Sequence, residues 1–195
     1  MKDNALWGID LGGTKAEGVV LGPGRLQDIV FRDRIATGAS LGYDYIIHQL
    51  KTIVDQMEAK AGYRPTRIGI GTPGTLDPKT GTMHGCNSEC LNGRRLQEDL
   101  SNVLGMEVLI ENDANCFAIA EAGLGVVRRD FPKAKVVFGV IMGTGVGGGL
   151  VVNGQAIHGL HGIGGEWGHN FLDESGGPCY CGKGGCVERV LSGPA

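Results

Sequence analysis

The sequence predicts an α/β fold built as two lobes of like architecture, the second of them incomplete. Three observations predict it: strands alternate with helices along the chain, glycine is concentrated in turns, and the opening segment recurs. Trp7–Leu21 lies over Phe138–Val152 at a constant offset of 131, with Gly8/Gly139, Gly12/Gly143, Gly18/Gly149 and Val20/Val151 identical. Each copy reads as strand, glycine turn, strand. The last residue, 195, maps onto position 64 of the first lobe, so the second lobe is expected to stop about halfway. The expected division is residues 1–116 for an N-terminal lobe and 117–195 for the start of a C-terminal lobe.

Residues 5–11 read as a strand, Gly12-Gly13-Thr14 as a turn and Ala16–Leu21 as the returning strand of a hairpin. Gly22-Pro23-Gly24 breaks it. Asp28–Ile35 alternates as a third strand, with Ile29, Phe31 and Ile35 on one side and Arg32 and Arg34 on the other. From Leu41 to Ala61, the residues Tyr43, Ile46, Ile47, Leu50, Ile53, Val54 and Met57 recur at helical spacing, a stripe that faces the core. Arg67–Gly71 is a short strand ended by Thr72-Pro73-Gly74. A helix over Leu96–Leu104 precedes a strand over Glu107–Ile110, and another helix starts at Asn112/Asp113 and runs to Gly123.

Composition excludes several classes. With 18 basic against 21 acidic residues the net charge is −3, too acidic to grip nucleic acid by neutralising phosphates. Hydrophobic residues make up 42% and mean hydropathy is −0.01, enough for a buried core. The longest apolar stretch, Val136–Met142, is far short of a membrane span. Lys2, Asp3 and Asp10 interrupt any apolar leader, so a cytoplasmic protein is expected. Glycine is the outlier: 36 of 195 residues, against a usual share of roughly 7%. Of six cysteines, three fall at 179, 181 and 186, which in a reducing compartment points to metal before disulfides.

Four segments carry chemistry. Asp10-Leu-Gly-Gly-Thr-Lys15 sets a carboxylate at a strand end before a glycine turn whose N–H groups can cradle phosphate oxygens, with Lys15 as a point charge. Asp10 could hold Mg²⁺ through water. Gly143-Thr-Gly-Val-Gly-Gly-Gly149 repeats the turn. It contains G-x-G-x-x-G at Gly143, Gly145 and Gly148, but strand rather than helix follows, which excludes a dinucleotide-binding fingerprint. Walker A spacing is absent. Glu111-Asn-Asp-Ala-Asn115 stands between a strand end and a helix start. Helix capping accounts for one of its polar residues. Asp113 there could take a proton from a hydroxyl attacking a phosphoryl group.

The sharpest signal is Gly164-Gly-Glu166-Trp-Gly-His169 followed by Cys179, Cys181, Cys186 and Glu188. One imidazole and three thiols complete a closed tetrahedral Cys₃His zinc site, which with all four positions filled would be structural. Buried thiols or a disulfide explain the pattern less well, since Cys179 and Cys181 are too close for a relaxed bridge. Cys86, Cys90 and Cys116 read as small hydrophobes.

These motifs, in order over residues 5–195, make the chain resemble the ROK family of sugar kinases, repressors and uncharacterised reading frames, and most nearly its bacterial fructokinase and mannokinase-like members through Asn87–Gly93. The resemblance implies the actin-like ATPase (ribonuclease H-like) fold, with ATP and sugar in a cleft between two lobes. It implies Asp113 as catalytic base and Gly74, Asn87, Asn112, Asp113, Glu166, His169 and Glu188 as sugar-binding positions. It places the phosphates at Gly12, Gly13, Thr14, Lys15, Gly143, Thr144 and Gly145 with Mg²⁺ near Asp10, and zinc at His169, Cys179, Cys181 and Cys186. A homodimer is implied, and no nucleic-acid or membrane partner. The expected activity is ATP-dependent phosphorylation at O6 of fructose, mannose or glucose. The alternatives are an N-acetylglucosamine or N-acetylmannosamine kinase, or a non-catalytic sugar-binding protein inactivated by truncation. An actin- or chaperone-type ATPase would leave the zinc and sugar positions without a purpose.

Overall fold

A computed structural model of the chain describes residues 5–23 and 28–195. Gly24, at the end of the expected break, and Lys2 and Asp3 lie outside the described residues. The chain forms two compact units, Met1–Asp113 and Ala114–Ala195.

The first unit is built on a five-stranded sheet whose strands lie in the order Ile29–Ala36, Lys15–Leu21, Leu6–Leu11, Arg67–Thr72, Glu107–Asn112. The hairpin of β1 (Leu6–Leu11) and β2 (Lys15–Leu21) continues antiparallel into β3 (Ile29–Ala36). On its other side β1 pairs parallel with β4 (Arg67–Thr72), and β4 with β7 (Glu107–Asn112). Parallel neighbours need crossover connections, and α1 (Tyr43–Ala61) and α2 (Leu96–Leu104) supply them. Between the two helices lies a small hairpin of β5 (Thr75–Leu76) and β6 (Met83–His84). The helical stripe packs as its spacing predicts: Ile46, Leu50, Ile53, Val54 and Met57 are fully buried, joined by Ile68, Ile70, Leu96, Leu100 and Leu104. Gly18 lets β2 sit against this helix, because a Cβ there would lie 2.9 Å from Ile53 and Met57.

Three local expectations are corrected. Ile29 is half exposed rather than inward, and Val30 packs on the core with Phe31 and Ile35. The cause is a register shift at Val20/Leu21, where Leu21 pairs with Ile29 and Val20 with Phe31, so that Val30 is the extra residue of a bulge. α1 starts at Tyr43, since Gly42 enters it with a left-handed φ of 97° and leaves Leu41 outside. β7 runs two residues past its expected end, through Glu111 and Asn112, while α3 (Asp113–Gly123) starts and ends where expected.

The second unit takes up α3 and α4 (Val126–Asp130), followed by a hairpin of β8 (Val136–Met142) and β9 (Val146–Val152) extended by β10 (Gln155–Ala156). β1/β2 and β8/β9 are the two copies of the internal repeat, each folded around its glycine turn. From 157 to 186 the chain is mostly turns before α5 (Val187–Leu191). Among the described residues no helix is long and apolar enough to cross a membrane.

Leu50→Ala removes a fully buried side chain and should lower unfolding stability by about 2–5 kcal/mol in urea titrations. Leu41→Ala, at an exposed position, should change it by no more than about 0.5 kcal/mol.

Candidate functional site

In the first unit the turn between β1 and β2 is pinned from inside. Gly12 N–H donates to the Lys15 carbonyl at 2.9 Å, and the Thr37 hydroxyl and amide bond the Gly12 and Thr14 carbonyls at 2.8 and 3.0 Å. Gly13, Thr14 and Lys15 are left facing solvent. Asp10 stands opposite Glu17 across the hairpin. Burial, and then the Glu17 charge, push the Asp10 carboxyl above its usual range, against the pull of Arg34. Burial also acts on Glu17, but bonds from Arg32 and Arg34 outweigh it and hold that carboxyl low.

At the carboxyl end of β7, Asn112 is buried and its amide reaches the Gly74 carbonyl at 3.5 Å. The Thr72 hydroxyl donates to the same carbonyl at 3.1 Å. Gly74 has no room for a side chain, because a Cβ would lie 2.4 Å from Cys86 Sγ and 2.6 Å from the His84 carbonyl. Asp113 follows, exposed, in the first turn of α3, where the helix N-terminus favours negative charge. Asn87 is exposed on the loop after β6, a loop held by the reciprocal bonds of Asn92 with the Cys86 backbone at 2.9 and 3.1 Å. Gly74 and Asn112 are therefore brought into contact, with Asp113 adjoining.

In the second unit the turn after β8 is tied at both ends. Gly143 N–H donates to the Gly145 carbonyl at 2.9 Å, and Gly193 N–H to the Gly143 carbonyl at 2.7 Å. Glu188 Oε2 accepts the Val146 N–H at 3.0 Å. Thr144 is exposed between them. The Glu166–His169 stretch is fixed to the same hairpin: Trp167 Nε1 donates to the Gly147 carbonyl at 3.2 Å, and its ring meets Phe138 edge-on. Glu188 N–H donates to the Gly168 carbonyl at 2.9 Å, joining α5 to this stretch. Glu166 itself is exposed.

The ligating atoms of His169, Cys179, Cys181 and Cys186 all lie within 4.8 Å of one another. His169 Nδ1 is 3.5 Å from Cys179 Sγ, and Cys181 Sγ is 3.6 Å from Cys186 Sγ. A tetrahedral zinc site with usual bond lengths has ligand separations of about 3.5 Å (N to S) and about 3.8 Å (S to S), whereas a disulfide needs about 2.05 Å. These two separations are those of ligands on one metal and are too long for a disulfide. Cys179 and Cys186 are buried and Cys181 is exposed. A bond from the Lys183 backbone lowers the Cys181 thiol, while burial, then bonds to Cys181 and Cys179, push Cys186 up to about 11.

Tyr180, which sequence reasoning passed over between two ligands, belongs to this cluster. Its hydroxyl is 3.0 Å from His169 Nε2 and the two rings meet edge-on with centroids 5.0 Å apart. Burial of the hydroxyl end, then the Glu188 carboxylate beside it, push that phenol up to about 12.

Comparison with known proteins places this geometry. The model of the ROK family matches residues 6–195. The chain belongs to the ROK family. It is 39% identical over 198 residues to the N-acetyl-D-glucosamine kinase of Erwinia tasmaniensis, covering 96% of this chain and 62% of that protein. Among solved structures it resembles the ROK hexokinase of Thermus thermophilus (TM-score 0.79, 32% identity, 97% of this chain and 60% of that one). It also resembles a ROK glucokinase of Streptomyces griseus solved with glucose and AMPPNP (TM-score 0.81, 29% identity, 98% and 58%). Its fold is the actin-like ATPase fold of these ROK sugar kinases. The chain thus spans about three-fifths of the length of these relatives.

A methyl group at Gly149 would lie 2.6 Å from the Ala114 carbonyl oxygen, whereas one at Gly143 would meet nothing within 4 Å. Gly149→Ala should lower stability by about 1–3 kcal/mol, and Gly143→Ala should leave the melting temperature nearly unchanged in differential scanning calorimetry.

Proposed function

We propose that this chain is the sugar-binding and phosphoryl-transfer part of an ATP-dependent sugar kinase, and that its sugar is N-acetylglucosamine. The observation that carries the reading is the Asn112–Asp113 pair at the end of β7, with Asn112 locked against Gly74, in a chain whose relative at 39% identity is an N-acetyl-D-glucosamine kinase. The sequence alone led first to fructose, mannose or glucose, with N-acetylglucosamine or N-acetylmannosamine as the alternative. The relatives at 36–39% identity favour the amino sugar instead. A hexose is the second reading, supported by the 32% identity to the Thermus thermophilus hexokinase.

In this reading Asp113 accepts the proton of the sugar O6 hydroxyl as that oxygen bonds to the γ-phosphorus of ATP. The bond from γ-phosphorus to the bridging oxygen breaks, and ADP leaves. Asn112, Gly74, Asn87, Glu166, His169 and Glu188 hold the sugar hydroxyls. The backbone N–H groups of the turns at 12–14 and 143–145, with Lys15, hold the phosphates. A Mg²⁺ ion at Asp10, bound largely through water, would offset phosphate charge. Zinc on His169, Cys179, Cys181 and Cys186 would hold a loop with little secondary structure of its own.

Two measurements test this. ADP release with Mg-ATP is followed on N-acetylglucosamine, N-acetylmannosamine, glucose, mannose and fructose. Turnover is expected to be highest on N-acetylglucosamine and to fall by about 10²-fold or more in Asp113→Asn, the scale of a lost general base. Binding of a sugar without turnover on any of them would select the non-catalytic reading. Metal analysis should find about one zinc per chain, and removing it with a chelator should lower the melting temperature, because metal binding contributes directly to folding. Protein that purifies without zinc and melts unchanged in chelator would sink the metal assignment.

A further inference from the structure

We propose that Thr37 is a positioning residue for phosphoryl transfer, holding the first glycine turn so that the Gly13 N–H faces the phosphates of ATP. This builds on the phosphate role proposed above for the turn at 12–14. Thr37 follows directly on β3, and only 1% of it is exposed. A hydroxyl so buried needs a partner, and it donates to the Gly12 carbonyl at 2.8 Å. The Thr37 N–H donates to the Thr14 carbonyl at 3.0 Å, so one residue grips both ends of the turn. A trans peptide is planar, with its C=O and N–H pointing in opposite directions. Drawing the Gly12 carbonyl toward Thr37 therefore turns the Gly13 N–H away from it, on a residue that is exposed.

The two glycines of the turn are glycine for different reasons. A Cβ on Gly12 would lie 3.0 Å from the Lys15 carbonyl oxygen, the same oxygen that accepts the Gly12 N–H, so the inside of the turn is crowded. A Cβ on Gly13 would meet only Ser88 Oγ, at 3.8 Å, an ordinary contact, and Gly13 has no left-handed φ. The fold makes no demand for glycine at 13. What the missing side chain leaves open is close approach to the Gly13 N–H, which is what a phosphate oxygen needs. The Gly12 N–H, by contrast, is already bonded within the turn.

Thr37→Val keeps the shape of the side chain and the backbone bond while deleting the hydroxyl, and Thr37→Ser keeps the hydroxyl. Thr52→Val is the control, since it deletes a like bond on α1, from a hydroxyl to the His48 carbonyl at 2.9 Å. ADP release is measured with the sugar that wild type turns over, and amide resonances are followed by NMR as Mg-ATP is added without sugar. In wild type the Gly13 resonance is expected to move on adding Mg-ATP and the Gly12 resonance to stay. In Thr37→Val the KM for Mg-ATP should rise at least about 10-fold, the scale of a buried carbonyl left unpaired, with the sugar KM within about 2-fold. Thr37→Ser should recover most of that loss, and Thr52→Val should match wild type. A wild-type Gly13 amide that ignores Mg-ATP while those of 143–145 respond overturns the proposal, whatever the variants do. So does a Thr37→Val chain with the wild-type KM for Mg-ATP, or one that raises both KM values alike through a merely loosened fold. Wild type with neither turnover nor any amide response to Mg-ATP overturns the phosphate reading itself, and the role of Thr37 with it.

Discussion

The second unit depends on backbone lying against backbone. A Cβ on Gly149 would meet the Ala114 carbonyl oxygen at 2.6 Å, one on Gly168 the Val146 carbonyl at 2.1 Å, and one on Gly164 the Ile157 carbonyl at 2.0 Å. No side chain fits at these places, so glycine is required by space. The consequence reaches outward: because β9 can approach α3 this closely, the turn at 143–145 is held where Glu188 can reach Val146. Because Gly168 approaches β9, His169 is presented to the three thiols. The abnormal glycine content thus has two causes among the described residues: close backbone approach at these positions, and left-handed backbone at uncrowded ones such as Gly105 and Gly154.

That requirement separates the two units physically. The contiguous apolar core, from Trp7 to Val108, belongs to the first unit. The buried apolar residues of the second are small or few: Ala114, Ala118, Val146, Val151, Val187 and the cysteines Cys179 and Cys186. A segment such as 157–186, with little regular structure, cannot offset its conformational entropy by burying so little. A metal on His169, Cys179, Cys181 and Cys186, as proposed above, would cross-link this segment and supply part of that deficit.

Much of this was legible in the sequence, for identifiable reasons. The α1 stripe was legible because seven apolar residues at helical spacing leave little alternative. The two hairpins were legible because the repeat gave each a second witness. The cluster of His169 with the three cysteines could be read because four ligating side chains in so short a stretch have few other uses. What escaped was decided by contacts between elements. The inward turn of Val30 in place of Ile29 depends on a bulge set by the partner strand. The β5–β6 hairpin is two residues a side and leaves no periodicity to detect. Tyr180 is an ordinary residue in a turn until His169, eleven positions away, folds against it.

The placement of Asp113 shows how the two kinds of packing divide the work. Its neighbour Asn112 sits at the end of a strand whose inner face is part of the apolar core, and the amide of Asn112 is buried against Gly74, which Cys86 and the His84 carbonyl confine in turn. Asp113 begins a helix whose next residue carries the carbonyl that Gly149 closes upon. Within the first unit the strand end at Asn112 is therefore held by side-chain packing, which a neighbouring rotamer can relax. Within the second, Ala114 is held by backbone packing against Gly149, where no rotamer can give way and even a methyl group costs stability.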